Sequence, residues 1–243
     1  MYIGHSTVLI DMDGTRVLTD PLLRARVVHL RRVGRADVEA PRGVDAVLIS
    51  HLHFDHLDIP SLERLGQEVR VVAPRGAGSF LQRKGFTAIT ELGAGEEVSV
   101  GSLVVRGTSA AHDSRRLPFG VRADPVGYVV EGSSSVYFAG DTEVFDGIEA
   151  LAPVDVALVP IWGWGPSLGR GHMDPRDAAE AVRMLQAKIA VPIHWGTYFP
   201  LQLGLRGQPS FVDLPAAEFA AHVHEVAPGV DVRILRPGQE TQV

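Results

Sequence analysis

The stretch Ser50-His51-Leu52-His53-Phe54-Asp55-His56-Leu57-Asp58 decides how the rest of the chain reads. Four side chains able to bind a metal fall between His51 and His56. They follow the apolar run Asp45-Ala46-Val47-Leu48-Ile49, which has the composition of a short buried strand. In an extended segment, residues two apart point the same way at about 6.5 Å, so His51 and His53 can converge on one ion. Asp55 and His56 come where the chain must turn, and can serve a second ion alongside. Imidazole and carboxylate without thiolate suit zinc, manganese, iron or nickel better than a cysteine-built structural zinc site. A solvated loop that happens to be His-rich is the bland alternative. Against it stand further candidate ligands downstream, each following a strand-like run: His112 after the run ending near Ser109, Asp141 after Val136-Tyr137-Phe138-Ala139, and His194 after Val191-Pro192-Ile193. Gly140 lets the backbone turn before Asp141, whose carboxylate can bridge two cations.

His-x-His-x-Asp-His after a strand resembles the signature of the metallo-β-lactamase superfamily. The resemblance extends to the branch of N-acyl-phosphatidylethanolamine-hydrolysing phospholipase D and its bacterial relatives. It is carried by Gly4-His5-Ser6-Thr7, Leu18-Thr19-Asp20-Pro21, the run from Asp45 to Asp58, Ala139-Gly140-Asp141-Thr142, Gly171-His172-Met173-Asp174-Pro175 and Ile193-His194-Trp195-Gly196-Thr197. These pieces span nearly the whole chain in family order. The resemblance implies an αβ/βα four-layer sandwich, two mixed sheets with helices outside, and metals at one sheet edge. It implies one metal held by His51, His53 and His112, another by Asp55, His56 and His194, and Asp141 between them. Every position of that pattern is filled, which argues against a non-catalytic member.

A chain of 243 residues is ample for one large α/β core, and residues 1–243 are read as a single domain of this kind. Hydrophobic content of 45% and charged content of 21% are ordinary for a soluble protein. A net charge of −6 gives no electrostatic case for nucleic-acid binding. With no cysteine, disulfides and thiolate chemistry are excluded. No apolar stretch approaches the roughly 20 residues of a membrane span, and Met1-Tyr2-Ile3 leads straight into a strand-like run rather than a signal peptide. The expected location is the cytoplasm, with homo-oligomerisation left open.

Tyr2 to Asp11 reads as a strand, turning at Asp13-Gly14 into Arg16-Val17-Leu18-Thr19. Residues 20–43 lack periodicity and carry Arg24, Arg26, Arg31, Arg32, Arg35 and Arg42; they are expected to form a loop bordering the active site. Next come a short helix near Pro60 to Leu65, a strand Val69 to Ala73, a helix Pro74 to Lys84 and a strand Phe86 to Thr90. Glu96 to Val100 with Leu103 to Ser109, and Pro125 to Glu131 with Ser135 to Ala139, read as hairpins. Asp155 to Pro160 is a buried strand. Asp174-Pro175 opens a helix with a carboxylate cap and a first-turn proline, followed by the apolar stripe Ala178, Ala179, Val182 and Leu185. Ile189 to Ile193 is a strand, Pro215 to Val226 a helix and Val230 to Leu235 a last strand.

Three side chains are catalytic candidates. Asp55 belongs to the cluster itself. Asp20 ends a strand before Pro21 and can either cap a turn or hydrogen-bond a ligand imidazole. His172 ends a glycine-rich loop, Gly165 to Gly171, and is expected near the metals without being a ligand, as donor of a proton to a departing alkoxide. His5 divides between a core role and bracing of a ligand; His29 reads as loop, His222 and His224 as a helix surface. One competing motif, Val8-Leu9-Ile10-Asp11-Met12-Asp13-Gly14-Thr15, looks like the nucleophile motif of haloacid-dehalogenase-type phosphatases, with Ser50, Lys84, Asp141 and Asp146 as companions. It leaves five histidines unexplained, and Asp-Gly favours a hairpin turn anyway.

Two adjacent divalent ions, zinc as first choice, lower the pKa of a shared water toward ~7 and supply a hydroxide nucleophile. They also neutralise charge building in the transition state. The expected activity is a metal-dependent hydrolase, first a phosphodiesterase acting on a small-molecule or lipid-like substrate. The branch resemblance favours a diester, and guanidinium in the 20–43 loop pairs well with phosphate. Trp162, Trp164, Trp195 and Phe199 can wall the site or pack the core. A lactonase like the ascorbate-6-phosphate lactonase branch is the second enzyme reading, and a metal-binding scaffold without turnover is the third.

Overall fold

The computed structural model describes residues 1–34, 36–113, 115–116, 120–162, 169–201 and 213–243. The chain opens with β1 (Tyr2–Gly4), β2 (Thr7–Met12) and β3 (Thr15–Thr19), followed by the short rungs β4 (Arg26–Val27) and β5 (Leu30–Arg32). Then come β6 (Ala46–Leu48), α1 (Ile59–Glu63), β7 (Arg70–Pro74), α2 (Gly78–Arg83) and β8 (Ile89–Leu92). β9 (Glu97–Val100), β10 (Leu103–Ser109), β11 (Val126–Glu131) and β12 (Ser135–Phe138) lead to a 3-10 turn at Ile148–Leu151 and to β13 (Val156–Pro160). The last elements are α3 (Pro175–Met184), β14 (Ile189–Ile193), β15 (Tyr198–Pro200), α4 (Leu214–Val226) and β16 (Asp231–Val232).

Two sheets carry the architecture, in the orders β1-β2-β3-β6-β7-β8 and β16-β14-β13-β12-β11-β10-β9. Strand alternation explains why they stack. In β6, Ala46 and Leu48 point into the inter-sheet core with Val8, Ile10, Val17 and Val72, against Val105, Tyr128, Val130, Phe138, Leu158 and Val191. Val47 points the other way, to the layer under α1 and α2 with Ile49, Val71 and Leu81. Across the molecule, α3 and α4 cover Ala157, Val159 and Ala190. Central strands buried on both faces must be apolar throughout, as β6, β13 and β14 are. Leu48 is wholly buried, so its truncation to alanine should cost about 2–5 kcal/mol. The result is the αβ/βα sandwich, two mixed sheets with helices outside.

Pairing directions position the site. β1 and β3 each run antiparallel to β2, and β6 runs parallel to β3. β10 and β12 each run antiparallel to β11, and β13 and β14 run parallel to β12. Within each sheet these strands therefore end on one common edge. The segments that follow them carry His5, Asp20, His51, His112, Asp141, His172 and His194.

Several boundaries differ from the sequence reading. The run Tyr2 to Asp11 is two strands, because Gly4 and His5 adopt φ of +125° and +58° and turn the chain between them. Glycine is needed there: a Cβ on Gly4 would meet Thr197 Cγ2 at 2.8 Å. Residues 20–43 are not all loop. β4 and β5 form a hairpin that β15 extends into a small third sheet. α2 starts only at Gly78, since Pro74 still belongs to β7 and Gly76 turns at φ +94°. The last strand shortens to two residues beside β14. Arg35, Trp164 and the stretch Gly165 to Leu168 lie outside the described residues.

Candidate metal centre

Asp141 Oδ2 is the hub of the edge. It lies 3.2 Å from His56 Nε2, 3.4 Å from His194 Nε2 and His172 Nε2, 3.9 Å from His51 Nε2 and 4.0 Å from His112 Nε2. Asp55 Oδ2 forms a second focus, 3.1 Å from His5 Nε2, 3.6 Å from His56 Nε2 and 3.7 Å from His194 Nε2. His53 Nδ1 forms a third, 3.1 Å from both His51 Nε2 and His112 Nε2. Donors held about 2.0–2.1 Å from a common tetrahedral ion stand roughly 3.4 Å apart. The groups His51, His53, His112 and His5, Asp55, His56, His194 have that spacing, with every donor atom within 4.8 Å of the others in its group. Asp141 Oδ1 is buried with no hydrogen-bond partner among the described residues. A buried carboxylate oxygen left so is costly unless a cation completes it. The donor set therefore fits divalent metal ions.

The outward nitrogens are fixed by the fold. Ser50 Oγ donates to Asp20 Oδ2 at 2.5 Å, which leaves it to accept from His51 Nδ1 at 2.9 Å. His56 Nδ1 donates to Asp20 Oδ2 at 2.7 Å, His112 Nδ1 to Gly171 O at 2.8 Å, and His194 Nδ1 to Trp162 O at 2.6 Å. Each of these bonds places the proton on Nδ1 and turns Nε2 inward with its lone pair. Backbone bonds do the same at longer range: His194 N donates to His5 O at 2.9 Å, and both residues sit in the left-handed region.

Electrostatics agree with cation binding. Burial, reinforced by His56 and His112, keeps His51 well below the ordinary imidazole range; burial first and His194 second lower His5 to about 3; burial lowers His112 to about 4. These rings are neutral at neutral pH, which leaves His51 and His112 able to ligate through Nε2, while His5 Nε2 is engaged with Asp55 Oδ2 at 3.1 Å. At His56 burial opposes the charge, but Asp141 and Asp55 outweigh it and raise the group well above its usual value, so with no ion present the ring itself carries the positive charge the two carboxylates call for, and its Nε2 offers a lone pair only once a cation displaces that proton. Burial works against the charge on Asp55 and Asp141 too; His56 and His194 overcome it at both, so both carboxyls stay well below the usual range. Burial raises Asp20 despite its bonds from His56 and Ser50. His172 is raised, since Asp141 more than offsets burial.

Some candidates go elsewhere. Asp11 is exposed and faces Arg16 at 3.3 Å, and Asp13 accepts from Ser133 N at 2.6 Å, so the Asp11 motif is a hairpin away from the cluster and the phosphatase reading falls. Arg32 is buried, with Nη2 donating to Ile3 O at 2.5 Å, and Arg24 pairs with Asp58 at 2.5 Å. These two arginines brace the fold rather than face the metal edge. Trp195 is packed under the second-sheet helices with its Nε1 bonded to Pro192 O, so it is core. His222 faces Glu225 at 3.5 Å on α4, and His29 is exposed between β4 and β5.

Sequence reasoning missed two bracing groups, Glu143 and Arg116. Glu143 Oε1 accepts from Gly171 N at 2.7 Å. Arg116 Nη1 donates to Leu52 O at 2.6 Å and Leu57 O at 3.0 Å, holding both ends of the ligand loop, with its guanidinium 4.2 Å above the Phe54 ring. Their type carried no signal; only proximity to Asp141 and His112 in the chain pointed to them.

A four-layer sandwich with a His/Asp cluster at one sheet edge defines a metal-dependent hydrolase of the metallo-β-lactamase fold. The family model of the β-lactamase superfamily domain matches residues 15–195, and the chain belongs to that superfamily. It is 33% identical over 256 residues to a UPF0173 metal-dependent hydrolase of Rubrobacter xylanophilus, covering 98% of this chain and 94% of that one. It is 29% identical over 253 residues to a UPF0173 metal-dependent hydrolase of Methanopyrus kandleri, covering 98% and 96%. A solved metallo hydrolase from Ignicoccus hospitalis shares the fold at a TM-score of 0.73 and 23% identity, covering 98% of this chain and 95% of that one.

Proposed function

We propose that the chain is a dinuclear hydrolase whose first substrate class is a phosphodiester. His51, His53 and His112 hold one divalent ion, Asp55, His56 and His194 the other, with Asp141 between them and zinc as the first choice of metal. The observation that carries this is the position of Asp141 Oδ2, within 4.0 Å of Nε2 atoms from both groups. When bound, the ions lower the pKa of water toward ~7 and polarise the substrate oxygen. The chain's own residues do the rest. Asp20 orients His51 through Ser50 and His56 directly. His5 Nε2 donates to Asp55 Oδ2 at 3.1 Å and steadies that carboxylate. His172, Nε2 3.4 Å from Asp141 Oδ2 and side chain 19% exposed, stands where a substrate oxygen can reach it and donates a proton to the departing alkoxide.

The phosphodiester reading draws support from the motifs shared with the phospholipase D branch and from this proton donor. A lactonase reading is the second, favoured by Arg24 and Arg32 being engaged with Asp58 and Ile3 O. No helix among the described residues is long and apolar enough to cross a membrane, and a cytoplasmic site of action is part of the proposal. The test is a hydrolysis screen of the zinc-loaded protein against bis-aryl phosphodiesters, aryl phosphomonoesters and lactones. Diester turnover supports the first reading. Fast lactone opening without diester turnover reverses the order, and no turnover of any class with both metals bound favours a scaffold.

A further inference from the structure

We infer that Glu143 is a positioning residue that sets His112 and His172 together, acting through the backbone of Gly171; for His172 this rests on the reading above. Three segments meet here. Asp141 and Glu143 follow β12, His112 follows β10, and Gly171-His172 precedes α3. The first two are tied by a bridge between Ala111 and Glu143, in which Glu143 N donates to Ala111 O at 3.1 Å, and by Ala111 N donating to Thr142 Oγ1 at 2.8 Å. That backbone anchor leaves the Glu143 side chain free to reach the third segment, where Oε1 accepts from Gly171 N at 2.7 Å. The oxygen of Gly171 accepts from His112 Nδ1 at 2.8 Å.

One glycine is thus gripped on both sides, by a carboxylate at its N–H and by a candidate ligand imidazole at its C=O. Its φ of +87° and the 2.5 Å that would separate an added Cβ from His112 Nδ1 leave no room for another residue. The next residue is His172, whose ring lies 4.9 Å from that of His112, edge to face. A carboxylate acceptor makes a stronger hydrogen bond than water or a neutral group. Removing it frees Gly171 to turn about its φ and ψ and so re-aims the following peptide, which takes the acceptor from His112 Nδ1 and the approach angle from His172. Such outer braces typically control metal affinity by 10–100-fold.

The test compares Glu143→Ala with Glu143→Gln, which keeps an acceptor oxygen at the same reach. Zinc affinity is measured by chelator competition, and kcat and KM are measured on an aryl phosphodiester and an alkyl one. Glu143→Ala should weaken zinc about tenfold or more and lower kcat for the alkyl ester further than for the aryl ester, with KM little changed. Glu143→Gln should recover most of both. The zinc readout is repeated in a His172→Ala background, where the same loss should appear, because it runs through His112. Unchanged zinc affinity in Glu143→Ala overturns the inference, and so does a Glu143→Gln variant as impaired as the alanine. If His172→Ala alone leaves kcat intact while Glu143→Ala still weakens zinc, the proton-donor reading fails and the Glu143 assignment to His112 stands.

Discussion

The two ligand groups lie side by side but are held by different means. The group of His51, His53 and His112 is all imidazole, and its braces are a serine hydroxyl and a backbone carbonyl. His53 is half-buried, whereas the His112 side chain is only 1% exposed. The group of Asp55, His56 and His194 carries its own carboxylate, is braced by the buried Asp20 and by His5, and has both histidines buried. An ion in the second group is more enclosed and sees more negative charge. An ion in the first would be held by neutral donors. The lesson is that one cluster of similar residues offers a charged candidate site and a neutral one, with Asp141 within 4.0 Å of both.

The sharpest way to break that comparison is Asp55→Ala. It removes the carboxylate from the second group alone, so metal content should fall from about two ions per chain to about one, read by elemental analysis of protein reconstituted with zinc. Loss of both ions would mean the groups do not bind separately. His172→Ala comes next. It should keep both metals and lose ~10²-fold in kcat with an alkyl leaving group, and less with an aryl group that needs no proton. A loss of metal would make His172 a ligand. Asp20→Asn weakens the acceptor that serves His56 directly and His51 through Ser50, and should raise the zinc Kd by about tenfold. Because Asp20 touches His56 itself, the second group should suffer more, and an equal effect on both would erase the contrast. Smallest of all is Asp11→Asn, an exposed position at the hairpin, where stability should move by no more than about 0.5 kcal/mol and turnover not at all. A large loss there would revive the phosphatase reading.

The parts of this site that a sequence displays are those encoded locally. His51-x-His53-x-Asp55-His56 advertises itself by spacing, and the buried strands β6, β12 and β14 announce where His51, Asp141 and His194 emerge. Strands alternating with helices in both halves fit two packed sheets with helices outside, and the resemblance to the superfamily supplied the αβ/βα sandwich. What stayed hidden is long-range. Nothing in Arg24 or Arg32 marks them as braces, because their partners are Asp58, Ile3 O and Tyr198, distant in the chain or on the backbone. The break of the first strand at His5 comes where His5 N donates to Thr197 Oγ1 at 2.8 Å, a contact between residues far apart in the chain. Trp195 looks like a wall of the site because it follows His194, yet the next side chain along points to the opposite layer.

The bond from His194 N to His5 O has a consequence for the order in which this molecule assembles. It joins residues far apart in the chain and in different sheets, so the second candidate group exists only after the two sheets have closed on each other. Non-local closure of that kind is slow. The pair His51-x-His53 needs no such closure and can seize an ion while the chain is still open. A metal that binds the unfolded chain stabilises that state as well and weakens its own contribution to folding. Zinc present from the first moment of refolding should therefore retard it, whereas zinc added after closure should be taken up without penalty. Stopped-flow fluorescence with and without chelator would read the difference, and equal rates would mean that the open chain does not hold the ion.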